Sequence, residues 1–315
     1  MDEKLSRQIY VFKALCLFSI VMASTPYKGI ENVNYVRLLD SFSFSGVLGF
    51  FIVSGYFFGL SNYGFRELCI KKFRGIVIPW LFCSLVWYVR GLLYGREFDF
   101  VEMVLYLLGK GNIFCLFPLM LLCYVVLYRF RANNVVLYGF IVLNIVSRIL
   151  SVSGVIGYTA YNLFNYIGLF SIGLLIASRK YKMDEFRGQF VTFVSVVFIG
   201  ASVVLVNISD FFDVILWFLE SFGWLALTYV LAFNHLYDND ILVSLGKLTM
   251  PIYMYNYFLS PRLFTEGAMI DDFFVALCRP FAVIAIMYVV IRVLINVFEE
   301  TALERGFKIL FGIRL

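Results

Sequence analysis

The sequence predicts an all-α, polytopic integral membrane protein with about ten transmembrane helices and both termini in the cytoplasm. Three observations lead there. Of the 315 residues, 62% are apolar and 15% charged, and the mean hydropathy is +0.88. A soluble domain of this length is about half apolar and about a quarter charged, so the excess faces a solvent other than water, and lipid is that solvent. The apolar residues are also gathered into runs: about 30 Å of hydrocarbon takes roughly 20 residues of helix, and the chain offers such stretches repeatedly. Finally, Lys and Arg concentrate in alternate breaks between the runs, as expected of a chain that crosses back and forth.

The first run, Ile9 to Pro26, follows Lys4 and Arg7 and reads as a crossing rather than a cleaved signal peptide. Ser43 to Leu60 is the second, and Ile76 to Tyr94 the third, with Pro79 at its opening, where a missing N–H costs little. Ile113 to Tyr128 and Val135 to Val152 follow, separated by Arg129 and Arg131. Asn162 to Ser178, Phe190 to Ile208 and Phe212 to Phe233 come next. Leu248 to Ser260 is short, carries Pro251 in its first turn, and in an alternative reading begins near Ile241. Phe273 to Val297 closes the series.

One side collects Lys4 and Arg7, then Arg66, Lys71, Lys72 and Arg74, then Arg129 and Arg131, the Arg179 to Arg187 segment, Lys247, and the C-terminal Arg305, Lys308 and Arg314. The other holds only Lys28, Arg37, Arg96, Lys110 and Arg262. The richer side is cytoplasmic, which suits an even number of crossings. No stretch is long enough to fold as a soluble domain and no short repeat stands out, so residues 1–315 read as a single transmembrane domain.

The net charge of +5 is modest and tied to topology, which argues against nucleic acid as a partner. The six cysteines are scattered, without a CxxC pair, and the chain has a single histidine, His235. Cysteines so placed read as small packing residues, and neither a disulfide scaffold nor a zinc site fits this spacing. No metal is expected.

Two segments carry more than hydrophobicity: Gly49 to Phe58, GFFIVSGYFF, and Cys69 to Trp80, CIKKFRGIVIPW. Together they resemble the second and third helices of the acyltransferase family 3 membrane proteins, in which an aromatic-SG-aromatic segment precedes a basic stretch ending in a helix-opening proline. Asn112 to Leu122, Asn165 to Leu175 and Leu245 to Tyr257, LGKLTMPIYMYNY, resemble later segments of the family in the same order. The resemblance implies a ten-helix protein of the bacterial inner membrane. It also implies transfer of an acyl group, often acetyl from acetyl-CoA, onto hydroxyls of surface or lipid-linked glycans. In that frame Lys13 stands where relatives have Arg, Ser24 where they have the first-helix His, and Asn256 where they have a penultimate-helix His.

Acyl transfer to an alcohol needs a base that takes the hydroxyl proton, and imidazole does this near neutral pH. A serine can act as nucleophile, but it then needs its own base. Two residues are therefore candidates for catalysis. Ser24 occupies the histidine's place, and Glu220, between Trp217 and Trp224, is either the counter-ion of an arginine or the missing base. The donor's phosphates point to Lys13, Lys71, Lys72 and Arg74, each of which also reads as a snorkelling or topology-setting cation. Arg90, Arg148 and Arg279 fall in the outward halves of their helices and, with Asn256, are candidates for holding an anionic acceptor. The 57 Phe and Tyr residues (36 and 21) are explained by lipid and interface positions without sugar stacking. Two rival readings stay open: a catalytically inactive relative that binds a glycan, lipid or protein partner, and a transporter or flippase of an anionic lipid-linked substrate.

Overall fold

In hydrocarbon no water is present to satisfy a backbone N–H or C=O, so a crossing segment must pair its own polar groups, and the helix does that within one segment. The computed structural model describes residues 3–25, 29–95, 97–108, 116–152, 162–178, 188–204, 210–259 and 272–313. Among the described residues the regular structure is helical throughout, with no strand. In chain order the elements are α1 (Glu3–Met22), α2 (Val33–Leu60), α3 (Phe65–Lys72), a π-helical turn (Phe73–Val77), α4 (Ile78–Leu93), α5 (Phe100–Leu107), α6 (Leu116–Tyr128) and α7 (Asn134–Val152). Then come α8 (Phe164–Ser178), α9 (Gly188–Val204), α10 (Asp210–Val230), a second π-helical turn (Leu231–His235), α11 (Asp240–Lys247), α12 (Thr249–Leu259), α13 (Phe273–Phe298) and α14 (Glu304–Leu310).

Among the described residues, six stretches are long and apolar enough to cross a membrane: Glu3–Met22, Val33–Leu60, Phe65–Leu93, Asn134–Ser151, Ile215–His235 and Phe273–Phe298. Shorter apolar helices cover Leu116–Tyr128, Phe164–Ser178 and Gly188–Gly200. Large apolar side chains lie exposed along helix faces, such as Val142, Val146 and Ile149 on α7 and Val289, Val293 and Val297 on α13. Such faces are stable against lipid and not against water, which makes this a membrane protein.

Local chemistry sets where the helices begin. The side-chain carbonyls of Asn32, Asn133, Asn162 and Asn239 accept backbone N–H groups at the starts of α2, α7, α8 and α11, and the carboxylates of Asp99 and Asp272 do the same for α5 and α13. Each cap satisfies a donor that has no partner inside the helix. Asn32 starts α2 well before the apolar run at Ser43, so Arg37 and Asp40 lie within the helix and not in a loop. Likewise Phe65–Leu93 is one apolar helical stretch interrupted by a π-helical turn just ahead of Pro79, which has no N–H to offer the preceding turn. The ninth apolar stretch from Leu248 is α12, and the alternative start near Ile241 falls in a separate preceding helix, α11. The short helices α5 and α14 lie outside the ten apolar stretches.

Two compact units are present. The first comprises Met1–Phe50 and Lys180–Val293, the second Phe51–Arg179 and Leu294–Leu315, and the divisions fall inside α2 and α13. In the first unit α1 packs closely against its neighbours through small residues. A Cβ on Gly246 of α11 would lie 2.0 Å from the Tyr10 carbonyl oxygen, and one on Gly49 of α2 would lie 2.5 Å from Cys16 Sγ. The Phe233 carbonyl of the second π-helical turn accepts a 2.9 Å hydrogen bond from the buried Gln8 amide.

In the second unit α2 and α8 meet at glycines. A Cβ on Gly55 would lie 2.0 Å from the Phe170 carbonyl oxygen, and one on Gly173 would lie 2.0 Å from that of Ile52. Small residues at such a contact let two backbones approach closely, which is the main source of helix association in lipid. Around them Phe58, Tyr124 and Phe170 form an edge-to-face ring cluster, and Phe51 stacks on Tyr166 at 4.8 Å between centroids. Cys16, Cys83 and Cys123 are buried packing residues. Cys69 and Cys278 instead lie on exposed helix faces, and Cys115 is outside the described residues.

Candidate functional site

The first unit holds Lys13, Ser24, Glu220, Asn256 and Arg279, and the second holds Lys71, Lys72, Arg74, Arg90 and Arg148. In the first unit α2 and α10 lie side by side through aromatic contacts, Phe42 edge-on to Trp224 at 5.3 Å and Phe44 against Trp217 at 4.8 Å. Between these rings Glu220, 1% exposed, places Oε2 3.6 Å from Nε of Arg37. Of the two sequence readings of Glu220, its geometry matches the counter-ion. Its partner is Arg37, which the sequence had assigned to a loop.

Close by, Met22 of α1, Ile30, Leu39 of α2 and Ala276 of α13 form a buried apolar cluster, with Val36, Phe42, Phe273 and Leu277 packed on it. Arg279 follows Ala276 by three residues, hence on the same helix face, and is 4% exposed. Its Nε and Nη2 have no hydrogen-bond partner, nor does Nε1 of Trp224, whose ring meets Phe42 of the same neighbourhood. Ser24 sits in the turn that ends α1, two residues past Met22, where its hydroxyl donates a 2.7 Å bond to the Val21 carbonyl. Asn256 is fully buried; its amide donates to the Tyr253 carbonyl at 2.7 Å, while Oδ1 has no partner.

A second polar cluster in this unit joins α1, α11 and α13. The ammoniums of Lys13 and Lys247 both lie near the ring of Tyr10, at 5.7 and 5.8 Å from its centroid, within the range of cation–π attraction. The close approach of Gly246 to the Tyr10 backbone brings Lys247 there. One turn earlier on α11, Ser244 accepts from the Tyr288 hydroxyl at 2.9 Å and from the Arg292 guanidinium. Three cations, from Lys13, Lys247 and Arg292, thus border α11. Arg7, nearer the chain start, is held by Asp240 at 2.8 Å and by the Tyr237 and Asp238 carbonyls.

In the second unit the basic stretch is engaged with aromatic faces. Lys71 lies 3.4 Å from the Tyr63 ring centroid and 3.0 Å from Glu67, and Lys72 lies 3.9 Å from the Tyr124 ring centroid. Arg74 is exposed, in the first π-helical turn. Arg90 lies over Trp87 on its own helix and over Tyr94 just past its end. Arg148 donates at 3.4 Å to the Asn165 carbonyl and lies over the Tyr166 ring. It borders an amide network in which Asn144 donates to the Phe164 carbonyl, Ser147 donates to Asn165 and Asn162 donates to Ser147. Arg90 and Arg148 thus have partners within their own unit.

Sequence reasoning missed Tyr10, Ser244, Tyr288 and Arg292, the Asn144–Asn165 network, and the pairing role of Arg37. The amides at 144, 162 and 165, with Ser147 between them, were a readable signal, because buried polar groups in apolar helices require partners. The meeting of Lys13 and Lys247 on one ring had none, since nothing local links the two segments. His235 is exposed in the second π-helical turn, and among the described residues no group of three or more His, Cys, Asp or Glu side chains could hold a metal.

No family model matches the chain, and searches of curated proteins and of solved structures return no match.

Proposed function

We propose that this chain is a membrane-embedded O-acyltransferase similar to acyltransferase family 3. In this reading it crosses the bacterial inner membrane ten times with both termini cytoplasmic, and moves an acyl group, such as acetyl, from a coenzyme A thioester to a hydroxyl of a surface or lipid-linked glycan. One observation carries the reading: Lys13 and Lys247 lie at the same Tyr10 ring. Those lysines come from two segments singled out by the resemblance, the first-helix cation and the LGK preceding the penultimate helix. Paired ammoniums beside an aromatic face suit the phosphates and the ring of a nucleotide thioester. Lys71, Lys72 and Arg74 form a separate basic stretch assigned to the same donor by the motif. Arg90, Arg148, Arg279 and Asn256 are assigned to the acceptor.

In the reaction the acceptor oxygen bonds to the thioester carbonyl carbon, the C–S bond breaks, and the coenzyme leaves as the thiol. The hydroxyl proton passes to a base and from it to the departing sulfur. In this reading Glu220, which the fold holds against Arg37, is the carboxylate assigned to that transfer, and Ser24 lies where relatives place the histidine.

A second reading is favoured by two contacts. The Ser24 hydroxyl is bonded to a backbone carbonyl and the Glu220 carboxylate lies against Arg37, so both groups have structural engagements. A catalytically inactive relative that binds glycan or lipid would retain both.

One experiment separates the two readings. Purified protein is incubated with radiolabelled acetyl-CoA and membrane glycans, beside Ser24→Ala, Ser24→His, Glu220→Gln and Lys247→Met. Under the enzymatic reading the parent labels glycan, Glu220→Gln does not, and Lys247→Met raises the donor KM about tenfold or more, the scale of one charge-assisted hydrogen bond. Label appearing only with Ser24→His supports the inactive relative. Label undiminished in both Ser24→Ala and Glu220→Gln removes the assigned chemistry.

A further inference from the structure

A guanidinium can donate five hydrogen bonds and accept none, and its charge is permanent. Burying it without an acceptor is costly, and an intramembrane cation that has none is a signature of a site whose partner comes from outside the chain. Arg279 meets that description: it is 4% exposed, no salt bridge reaches it among the described residues, and Nε and Nη2 are without partners. Trp224 Nε1, whose ring meets Phe42, is a further donor without a partner. At Arg279 itself the deficit is of acceptors, and an oxyanion supplies more of them than a water does.

We infer that Arg279, at the edge of the apolar cluster of Met22, Leu39 and Ala276, binds the phosphate or carboxylate oxygens of an anionic substrate. The neutralising charge comes with the ligand, because the nearby carboxylate of Glu220 is taken by Arg37. The apolar cluster beside the cation favours an amphiphile, an anionic head joined to a hydrocarbon chain. The inference rests on the acyl-transfer reading for calling this substrate the acceptor, and not for the binding itself.

The test uses the full chain in dodecyl maltoside and follows its thermal melting with three probes: dodecyl phosphate, inorganic phosphate and sodium glucuronate. Dodecyl phosphate is expected to raise the melting temperature saturably. A shift from inorganic phosphate or glucuronate at similar concentration would instead name a free phosphate or a sugar acid as the source. Arg279→Gln is expected to weaken the effective probe by about thirtyfold or more, the scale of removing one partner of a buried charge pair. Arg279→Lys, which keeps the charge but loses the bidentate fork, is expected to weaken it less. Without probe, Arg279→Met is expected to melt no lower than the parent, since no internal partner is lost.

The inference is overturned if none of the probes shifts the parent, or if Arg279→Gln responds as the parent does. It is also overturned if Arg279→Lys and Arg279→Gln lose the response equally. A probe response that depends on Arg279 in a protein that transfers no label supports the site and removes only the enzymatic reading.

Discussion

The Arg37–Glu220 pair lends itself to a quantitative test, because its two members sit on helices that come together only in the folded chain. At a separation of 3.6 Å, two unit charges attract by about 4–5 kcal/mol at an effective dielectric near 20. Desolvation offsets much of this, so the net value shows only when the pair is broken from one side. Glu220 is 1% exposed and its partner side chain 13%, so neither charge, left alone, regains much water. Glu220→Leu alone and Arg37→Met alone are each expected to destabilise by about 3 kcal/mol or more, and the double replacement by about 1 kcal/mol or less, since removing a buried pair together is often neutral. The coupling is then about 5 kcal/mol or more in a double-mutant cycle. Reversible denaturant unfolding of the detergent-solubilised protein, read from tryptophan fluorescence, measures it. If the two single costs simply add in the double variant, the buried pair is not a unit and the counter-ion reading of Glu220 fails.

Other expectations follow from the helix contacts. Gly55→Ala places a Cβ against the Phe170 backbone and is expected to cost about 2 kcal/mol or more, whereas Gly139→Ala, facing open space in α7, should be neutral or gain up to about 1 kcal/mol by thermal melting. Asp272→Ala removes the cap of α13 and should cost about 1 kcal/mol in the same assay. Glu304 is held below the usual carboxylate range, first by its bond to the Lys308 ammonium and then by the Glu300 backbone N–H. Its contribution to the order of α14 is therefore present above the unfolded value of about 4.3 and is lost as pH falls through the lower folded value. Amide protection in Glu304–Leu310, corrected for the intrinsic exchange rate at each pH, should be lower at pH 3 than at pH 6, a difference that Glu304→Gln removes.

The helical class and the positions of the apolar stretches were legible because hydropathy is a local property. Helix starts were less so. A hydropathy reading stops at the first charge, so it placed Arg37 outside the membrane, while the helix runs through it because Glu220 supplies the compensating charge from a distant segment. The asparagines and aspartates that cap α2, α5, α7, α8, α11 and α13 mark those starts better than the apolar residues do. At the candidate site, residue types suggested which side chains to consider but not which would meet. Lys13 joined Lys247 at the Tyr10 ring, and Arg148 fell into an amide network the sequence had displayed unread.

The wide turn at Leu231–His235 acts as a spacer that sets rotational phase. A π-helical turn amounts to one surplus residue in a helix, and each residue winds the backbone by roughly 100°. Excising a single residue there would rewind everything downstream by that angle and leave the Gln8 amide without the carbonyl it holds. The azimuth at which α11 emerges, and hence the side from which Lys247 reaches Tyr10, is thus dictated by one insertion, so a change of length at this spot would disarm the cation pair although Lys13, Lys247 and Tyr10 were all retained.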